Sequence, residues 1–309
     1  MTPEKVKLSY KKEQRGGINI KGKSEKIGYA MLAPFYLFYL VFILIPVIYV
    51  IYYSFTNYDF YRTKDFVGFQ NYISLFTDKQ FVRAFFNTLE YGLFTVTGQL
   101  ILGLMAALAL NRGLKFQRFD RVGFYLPYII SMVTASMIWL WILNPSYGFL
   151  NQILIKAGFS PKMWLSDLDT AMGCIIVMSI WKSLGYNMTV YLSGLLAIPS
   201  NLYEAASIDG AGEWSRFWYI TLPMLRPTAF FLFVTACINA FKAFEQVNIM
   251  TDGGPLSSTT TIVHQIYTKA FKEFNMGYAC SMAVVLLILV STVTMINFKL
   301  GSKGNDAEL

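Results

Sequence analysis

Six stretches of this sequence, residues 28–54, 85–110, 122–143, 171–196, 227–249 and 277–298, each run past twenty largely apolar residues. About 20 such residues are enough to cross a bilayer core some 30 Å thick. Few folds are open to a chain with that many runs. In hydrocarbon every backbone N–H and C=O needs an internal partner, so each run reads as an α-helix. The first, third and sixth hold no charged residue; the second holds Glu90, the fourth Lys182, and the fifth Lys242 and Glu245. Pro34, Pro46 and Pro127 are tolerable in these settings, because neighbouring helices can satisfy the backbone groups that a proline frees. The expectation is an all-α polytopic membrane protein with six transmembrane helices.

Charge supports this reading. Charged residues make up 14% of the chain, against about 25% in soluble domains. The net charge of +8 lies in tails and short loops and forms no aromatic-interleaved patch, which argues against nucleic acid as a partner. With the N-terminus inside, the tail 1–27, the segments 111–121 and 193–226 and the C-terminal tail carry sixteen Lys and Arg, against eight in the outer loops 55–84, 144–170 and 251–276. That imbalance places both termini in the cytoplasm. The chain divides into a basic cytoplasmic tail (1–27), a six-span domain (28–298) with a cytoplasmic loop at about 197–226, and a C-terminal tail (299–309). Residues 1–27 are too long and polar for a cleavable signal, so the first span reads as retained.

Little here suggests bond chemistry. Cys174, Cys237 and Cys280 sit far apart inside apolar runs, without metal-ligand spacing. His264 has no Cys or His near it and reads as a loop or interface residue. No catalytic or metal-ligating constellation lies within or beside the spans. Gly17–Ser24, "GINIKGKS", matches the phosphate-loop pattern letter for letter, but that loop needs a buried strand before it and a helix in an α/β domain after it. It follows "KLSYKKEQRG" and runs into a membrane span, so it reads as a chance match.

The polar segment 202–223, "LYEAASIDGAGEWSRFWYITLP", lies between the fourth and fifth spans. Asn201 with Glu204 at N3 matches a capping-box variant, starting a short helix from Leu202 to about Ile208. Leu202, Ala205 and Ala206 share one face. Asp209-Gly210 supplies the stop, since glycine takes the left-handed C′ geometry without strain. A second helix follows with Trp214, Phe217 and Trp218 on a common face, a pattern of interfacial helices, and Pro223 and Pro227 are expected to break it. Periodicity alone leaves open whether this is an ordinary loop or a docking element.

Depth arithmetic brings two asparagines together. Asn239 lies about 18 Å into the fifth span and Asn187 about 13–14 Å from the same face at 1.5 Å per residue. Thr235, Asn239, Lys242 and Gln246 would form one polar stripe on the fifth helix; Ser183, Asn187, Tyr191 and Gly194 share a face of the fourth. Amides and aromatic rings suit sugar hydroxyls and the apolar faces of pyranoses. The same amides also suit hydrogen bonds between helices. Lys182 and Lys242 read as snorkelling toward the outer side.

"EAASIDGA" with the downstream "LP" resembles the E-A-A-x-x-x-G motif of ABC-importer permeases, through Glu204-Ala205-Ala206, Asp209-Gly210-Ala211 and Leu222-Pro223. "FVGFQNYISLF" (66–76), "NTLEY" (87–91), "YGFLNQIL" (147–154) and "MTDGGPLSSTTTIVHQIYTKAF" (250–271) are similar to blocks of its carbohydrate branch, the maltose, glycerol-phosphate and multiple-sugar type. The resemblance implies a type I importer permease fold in a bacterial cytoplasmic membrane. It implies that Glu204, Ala205, Ala206, Asp209 and Gly210 dock on a cytoplasmic ATPase, with ATP and Mg on that partner and no cofactor on this chain. Further implied partners are a second homologous permease, a second ATPase subunit, an extracytoplasmic solute-binding protein, the bilayer and a carbohydrate, an oligosaccharide or glycoside. The substrate path is expected at Asn187, Tyr191, Asn239, Lys242 and Gln246. Glycerol-3-phosphate is the alternative substrate and would call for a mid-membrane arginine. An ion-coupled transporter would need inverted repeats or a buried acidic relay, and neither is visible.

Overall fold

The computed structural model describes residues 20–60, 65–111 and 117–305. The greater part of the basic tail and Gly17–Asn19 of the phosphate-loop match lie outside the described residues; Ile20–Ser24 of that match belong to the first helix. Residues 1–52 and 53–309 form two units. Among the described residues the first unit is one helical run, without a charged residue from Gly28 on: α1 (Ile20–Tyr39), a π turn (Leu40–Leu44) and the start of α2 (Ile45–Tyr53). The π turn ends two residues before Pro46, whose ring crowds the turn behind it; a widened turn takes up that clash.

The second unit holds α3 (Gln70–Thr77), α4 (Lys79–Asn111), α5 (Gln117–Ile129), α6 (Met132–Ile142), α7 (Phe149–Lys156) and α8 (Ala171–Leu196). There follow α9 (Ser200–Ile208), α10 (Glu213–Arg216), α11 (Leu222–Met224), α12 (Arg226–Phe241), α13 (Glu245–Met250), α14 (Ile262–Tyr267) and α15 (Met276–Asn305). The described residues contain one isolated antiparallel bridge, Thr56 to Phe66, and no other β pairing.

Three helices pass as single spans on length and composition: Gly28–Tyr53, Lys79–Asn111 and Met276–Lys299. The third expected span is a bent pair, and the fifth, which continues as Arg226–Phe241, is entered across a bend from the loop helix Glu213–Met224. Val122–Ile129 and Met132–Ile142 meet at 106°, and Glu213–Met224 and Arg226–Phe241 at 61°. The third run breaks just after Pro127, and Ser131 restarts the helix by accepting a hydrogen bond from the Thr134 N–H at 3.1 Å. The fourth, α8, is 26 residues long, about 39 Å, but is not among the helices apolar enough to qualify on composition.

Packing explains why α8 tolerates that polarity. It lies against α4, α5, α6, α12 and α13, so Ser179, Lys182, Asn187 and Tyr191 are buried against protein. Tyr91 on α4 reaches Ser179 on α8, and Gly103 further along α4 faces Asn187 further along α8; the two helices therefore run parallel. A Cβ at position 103 would come within 2.6 Å of the Asn187 Cβ. One apolar cluster joins Ala107, Leu110, Leu192, Leu195, Leu225 and Leu232 at the end where α9 begins. A second joins Tyr91, Ile175, Met178, Ala240 and Val247 toward the other end.

The loop between α6 and α8 turns on Asn151, which is fully buried. Its Nδ2 donates to the carbonyls of Pro145 and Lys162, and its Oδ1 accepts from the Lys162 N–H and the Trp164 Nε1–H. Asn151→Ala should destabilise the chain by about 1–3 kcal/mol, because four partners lose their bonds but some gain water. Thermal unfolding of the detergent-solubilised chain measures this. An unchanged midpoint would deny the asparagine that role.

Candidate functional site

The segment after α8 has the expected helix with a different start. α9 begins at Ser200 behind Pro199, which serves as N-cap without a side-chain hydrogen bond. The Asn201–Glu204 capping box does not form, because the extended Pro199 (φ −60°, ψ 131°) sets the entry earlier and Asn201 is already inside the helix. The far end is as expected. Gly210 sits at φ +75°, the Gly210 N–H donates to the Ser207 carbonyl at 3.1 Å, and the Ala211 N–H donates to the Ala206 carbonyl at 2.8 Å. These two bonds form a Schellman cap.

α9 buries none of its residues. Glu204, Ala205 and Asp209 are exposed, Ala206 is half-buried, and Ile208 is 88% exposed. The helix is tethered from its other side, where the Tyr203 hydroxyl lies 2.9 Å from the Thr221 hydroxyl. Arg216 Nε donates to the Ala211 carbonyl at 2.8 Å, closing the loop between α9 and α10. Pro223 does not break the second helix. The π turn Phe217–Thr221 precedes it at the same offset as the π turn before Pro46, and the bend comes at Leu225.

The polar stripe of the fifth span splits. α12 ends at Phe241, and Lys242 to Phe244 leave the helix before α13 starts. Thr261 Oγ1 donates to the Ala243 carbonyl at 2.7 Å, satisfying a backbone group freed by the break. Asn239 and Lys242 are exposed, whereas Gln246 is buried and its Nε2 donates to the Tyr91 hydroxyl at 2.8 Å. The Tyr91 hydroxyl donates onward to Ser179 Oγ at 2.9 Å, so three spans share one polar chain. Asn187 and Tyr191 are buried between α8 and its neighbours, and Asn187 Nδ2 donates to the Ser183 carbonyl on its own helix.

Lys182 does not snorkel. It is 8% exposed, and its Nζ donates to the carbonyls of Tyr128 at 3.2 Å and Ile130 at 2.8 Å, in the break of the third span. The ammonium also lies 5.6 Å from the Tyr128 ring centre. One turn along, a Cβ at Gly185 would collide with the Phe124 carbonyl and the backbone of Tyr125, so α8 grips α5 by direct backbone contact. The sequence signal was present: a lone cation in an apolar run, three residues before a glycine.

His264 is buried in the loop region ahead of α15, with Nδ1 3.0 Å from the Thr260 hydroxyl and Nε2 3.3 Å from Asp252 Oδ1. Lys272 Nζ donates to both Asp252 oxygens. Burial lowers the His264 pKa, and the hydrogen bond from Lys272 lowers that of Asp252. The trio pins the loop, whose neighbour Thr260 also accepts Asn87 Nδ2 at its carbonyl.

Residues 99–300 match the model of a family described as "Binding-protein-dependent transport system inner membrane component". The "Probable ABC transporter permease protein YurN" of Bacillus subtilis is 35% identical over 247 residues, 79% of this chain and 85% of that protein. The sn-glycerol-3-phosphate transport system permease protein UgpA of Agrobacterium fabrum is 34% identical over 244 residues, 78% of this chain and 82% of that protein. Among solved structures, a chain of a bacterial ABC transporter involved in the import of the acidic polysaccharide alginate superposes with a TM-score of 0.82 at 25% identity. That match covers 91% of this chain and 96% of that one.

Proposed function

The chain belongs to the family of binding-protein-dependent transport system inner membrane components, and on that premise we propose that it is the permease subunit of an ATP-driven carbohydrate importer whose α9 docks on a cytoplasmic ATPase. The observation that carries the docking role is α9 itself. It is capped, tethered through Tyr203 to Thr221, and has no fully buried residue, with Ala205 and Ile208 exposed and Ala206 half-exposed to a partner. Small residues on such a face let another backbone approach closely, and Glu204 and Asp209 add charge at either side. ATP and Mg belong to the partner subunits. A second, related permease completes the path, and an extracytoplasmic binding protein delivers the sugar. Both termini lie in the cytoplasm on the Lys and Arg balance.

The path residues fall into two sets. Asn239 and Lys242, exposed at the end of α12, are placed to meet a solute between subunits. Asn187, Tyr191 and Gln246 are buried between helices and reach the path only when those helices move apart. Glycerol-3-phosphate is the second reading, since Lys182 is a buried cation within a span. Its ammonium is turned into the break of the third span, onto two backbone carbonyls, so it is committed to the protein and not to a phosphate.

Docking is tested by joining the chain to its ATPase subunits in lipid nanodiscs. Ala205→Cys should react with a water-soluble maleimide in the free chain and be protected at least tenfold once the ATPase is bound. Equal labelling rates in both states would exclude the docking role.

A further inference from the structure

We propose that the helix Glu213–Met224 lies in the phospholipid headgroup layer beside the docking segment, with Trp214, Trp218, Tyr219 and Arg226 binding lipid there. The first ground is continuity with a span. Only Leu225 separates this helix from α12, and the two are bent by 61°. Twelve residues span about 18 Å at 1.5 Å each, and an inclination of 61° leaves about 9 Å of that along the α12 axis. A span tilt of about 20° moves the figure between about 3 and 14 Å. The headgroup layer is about 5–7 Å thick on each side of the core. At about 9 Å more than half of the helix stays in that layer, beginning at the Leu225 end; only the steepest inclination carries its Glu213 half into water.

The second ground is which side chains the helix leaves uncovered. Thr221 is buried against Tyr203, and Phe217, Ile220 and Leu222 are half-buried, so this face is committed to the protein. Trp214 is 74% exposed, Trp218 47% and Tyr219 81%. Trp214 and Trp218 pack edge to face at 5.8 Å between ring centres, forming one apolar surface. Indole N–H and phenol O–H tips on apolar rings suit a layer that is greasy on one side and wet on the other. The third ground is charge. Arg226, at the bend, is exposed, and its guanidinium makes no hydrogen bond or ion pair among the described residues. A guanidinium at that level matches a lipid phosphate.

The consequence is mechanical and independent of what docks on α9. The Tyr203–Thr221 bond ties α9 to this helix, and the Arg216–Ala211 bond ties the loop between them, so lipid contact gives the docking helix a fixed reference against the bilayer.

Fluorescence quenching tests the placement. In a background with the three native cysteines changed to alanine, Tyr219→Cys and, separately, Trp214→Cys are labelled with bimane. The chain, assembled with its ATPase, is placed in nanodiscs of phosphatidylcholine and phosphatidylglycerol. Headgroup-nitroxide phosphatidylcholine should quench each label at least twofold more than a lipid with nitroxide near the acyl end, and more than aqueous iodide. Dominant quenching by iodide would place the helix in water. Quenching by no probe would place it under a protein partner. Either result overturns the proposal, and both leave the docking test unaffected. Arg226→Gln should lower the headgroup quenching in phosphatidylglycerol discs and leave insertion unchanged.

Discussion

Gly210→Val is expected to leave the chain inserted and assembled but to lower ATP-coupled uptake at least tenfold. The effect is conformational rather than steric, since a Cβ at position 210 would meet no atom within 4 Å. The backbone there sits at φ +75°, a region that costs an L-residue about 1–2 kcal/mol and a β-branched one more. Most helices offset such a penalty with burial. α9 has no buried residue, and nine residues are too few to hold a helix in water unaided. Valine would therefore open the Schellman cap and unwind the last turn, displacing Ala205, Ala206 and Asp209 together. Gly210→Asn, which tolerates the left-handed region, should retain most coupling. Uptake and ATPase rates in proteoliposomes decide the matter. Normal coupling in the valine variant would mean that the geometry of α9 does not transmit ATP's work.

The second large effect is expected at Lys182. Lys182→Met keeps an apolar stem of the same four atoms' reach but removes the ammonium that donates to Tyr128 and Ile130. Those carbonyls lie in the 106° break of the third span, where lipid offers no replacement. A carbonyl left unpaired in an apolar surrounding costs about 1–3 kcal/mol. The positive charge also favours the C-terminal end of α5 through the helix dipole, worth about 0.3–1 kcal/mol or more when partly buried. The variant should unfold several degrees lower in detergent. Spin labels at Val122→Cys and Trp141→Cys should show a broadened distance across the break. Lys182→Arg, which keeps donors and charge, should recover part of both. A methionine variant with an unchanged midpoint and an unchanged distance distribution would show that the break holds without the lysine.

The residue pattern alone determined a good deal. Run length gave the membrane class, because hydrocarbon forces every backbone group into a helix. Gly210 was legible as a helix stop, because the left-handed requirement is local and glycine meets it wherever it stands. The short helix ahead of Gly210 was legible too, since its stop is local, and the resemblance of Glu204-Ala205-Ala206 to the importer motif is what singled it out for the docking role proposed above.

Other features depended on contacts between residues far apart in the chain. The third span looked like one run because Pro127 alone does not say whether a helix bends or breaks; the answer lay in Lys182, more than fifty positions away, whose ammonium takes up the freed carbonyls. The stripe Thr235–Gln246 was drawn on an unbroken helix, and Thr261, supplying its hydroxyl to Ala243, marks where that helix stops. Asn187 and Gln246 carried the periodicity of a polar face, which is the same whether the face meets a cavity or a neighbour. Tyr91 and Gly103 on α4 turned both inward. Sequence determined what each segment must be, since propensity, length and capping act within a few residues. Tertiary structure decided where spans break and which polar groups they bury, since a freed carbonyl or a buried amide is settled only by whatever another helix brings to it.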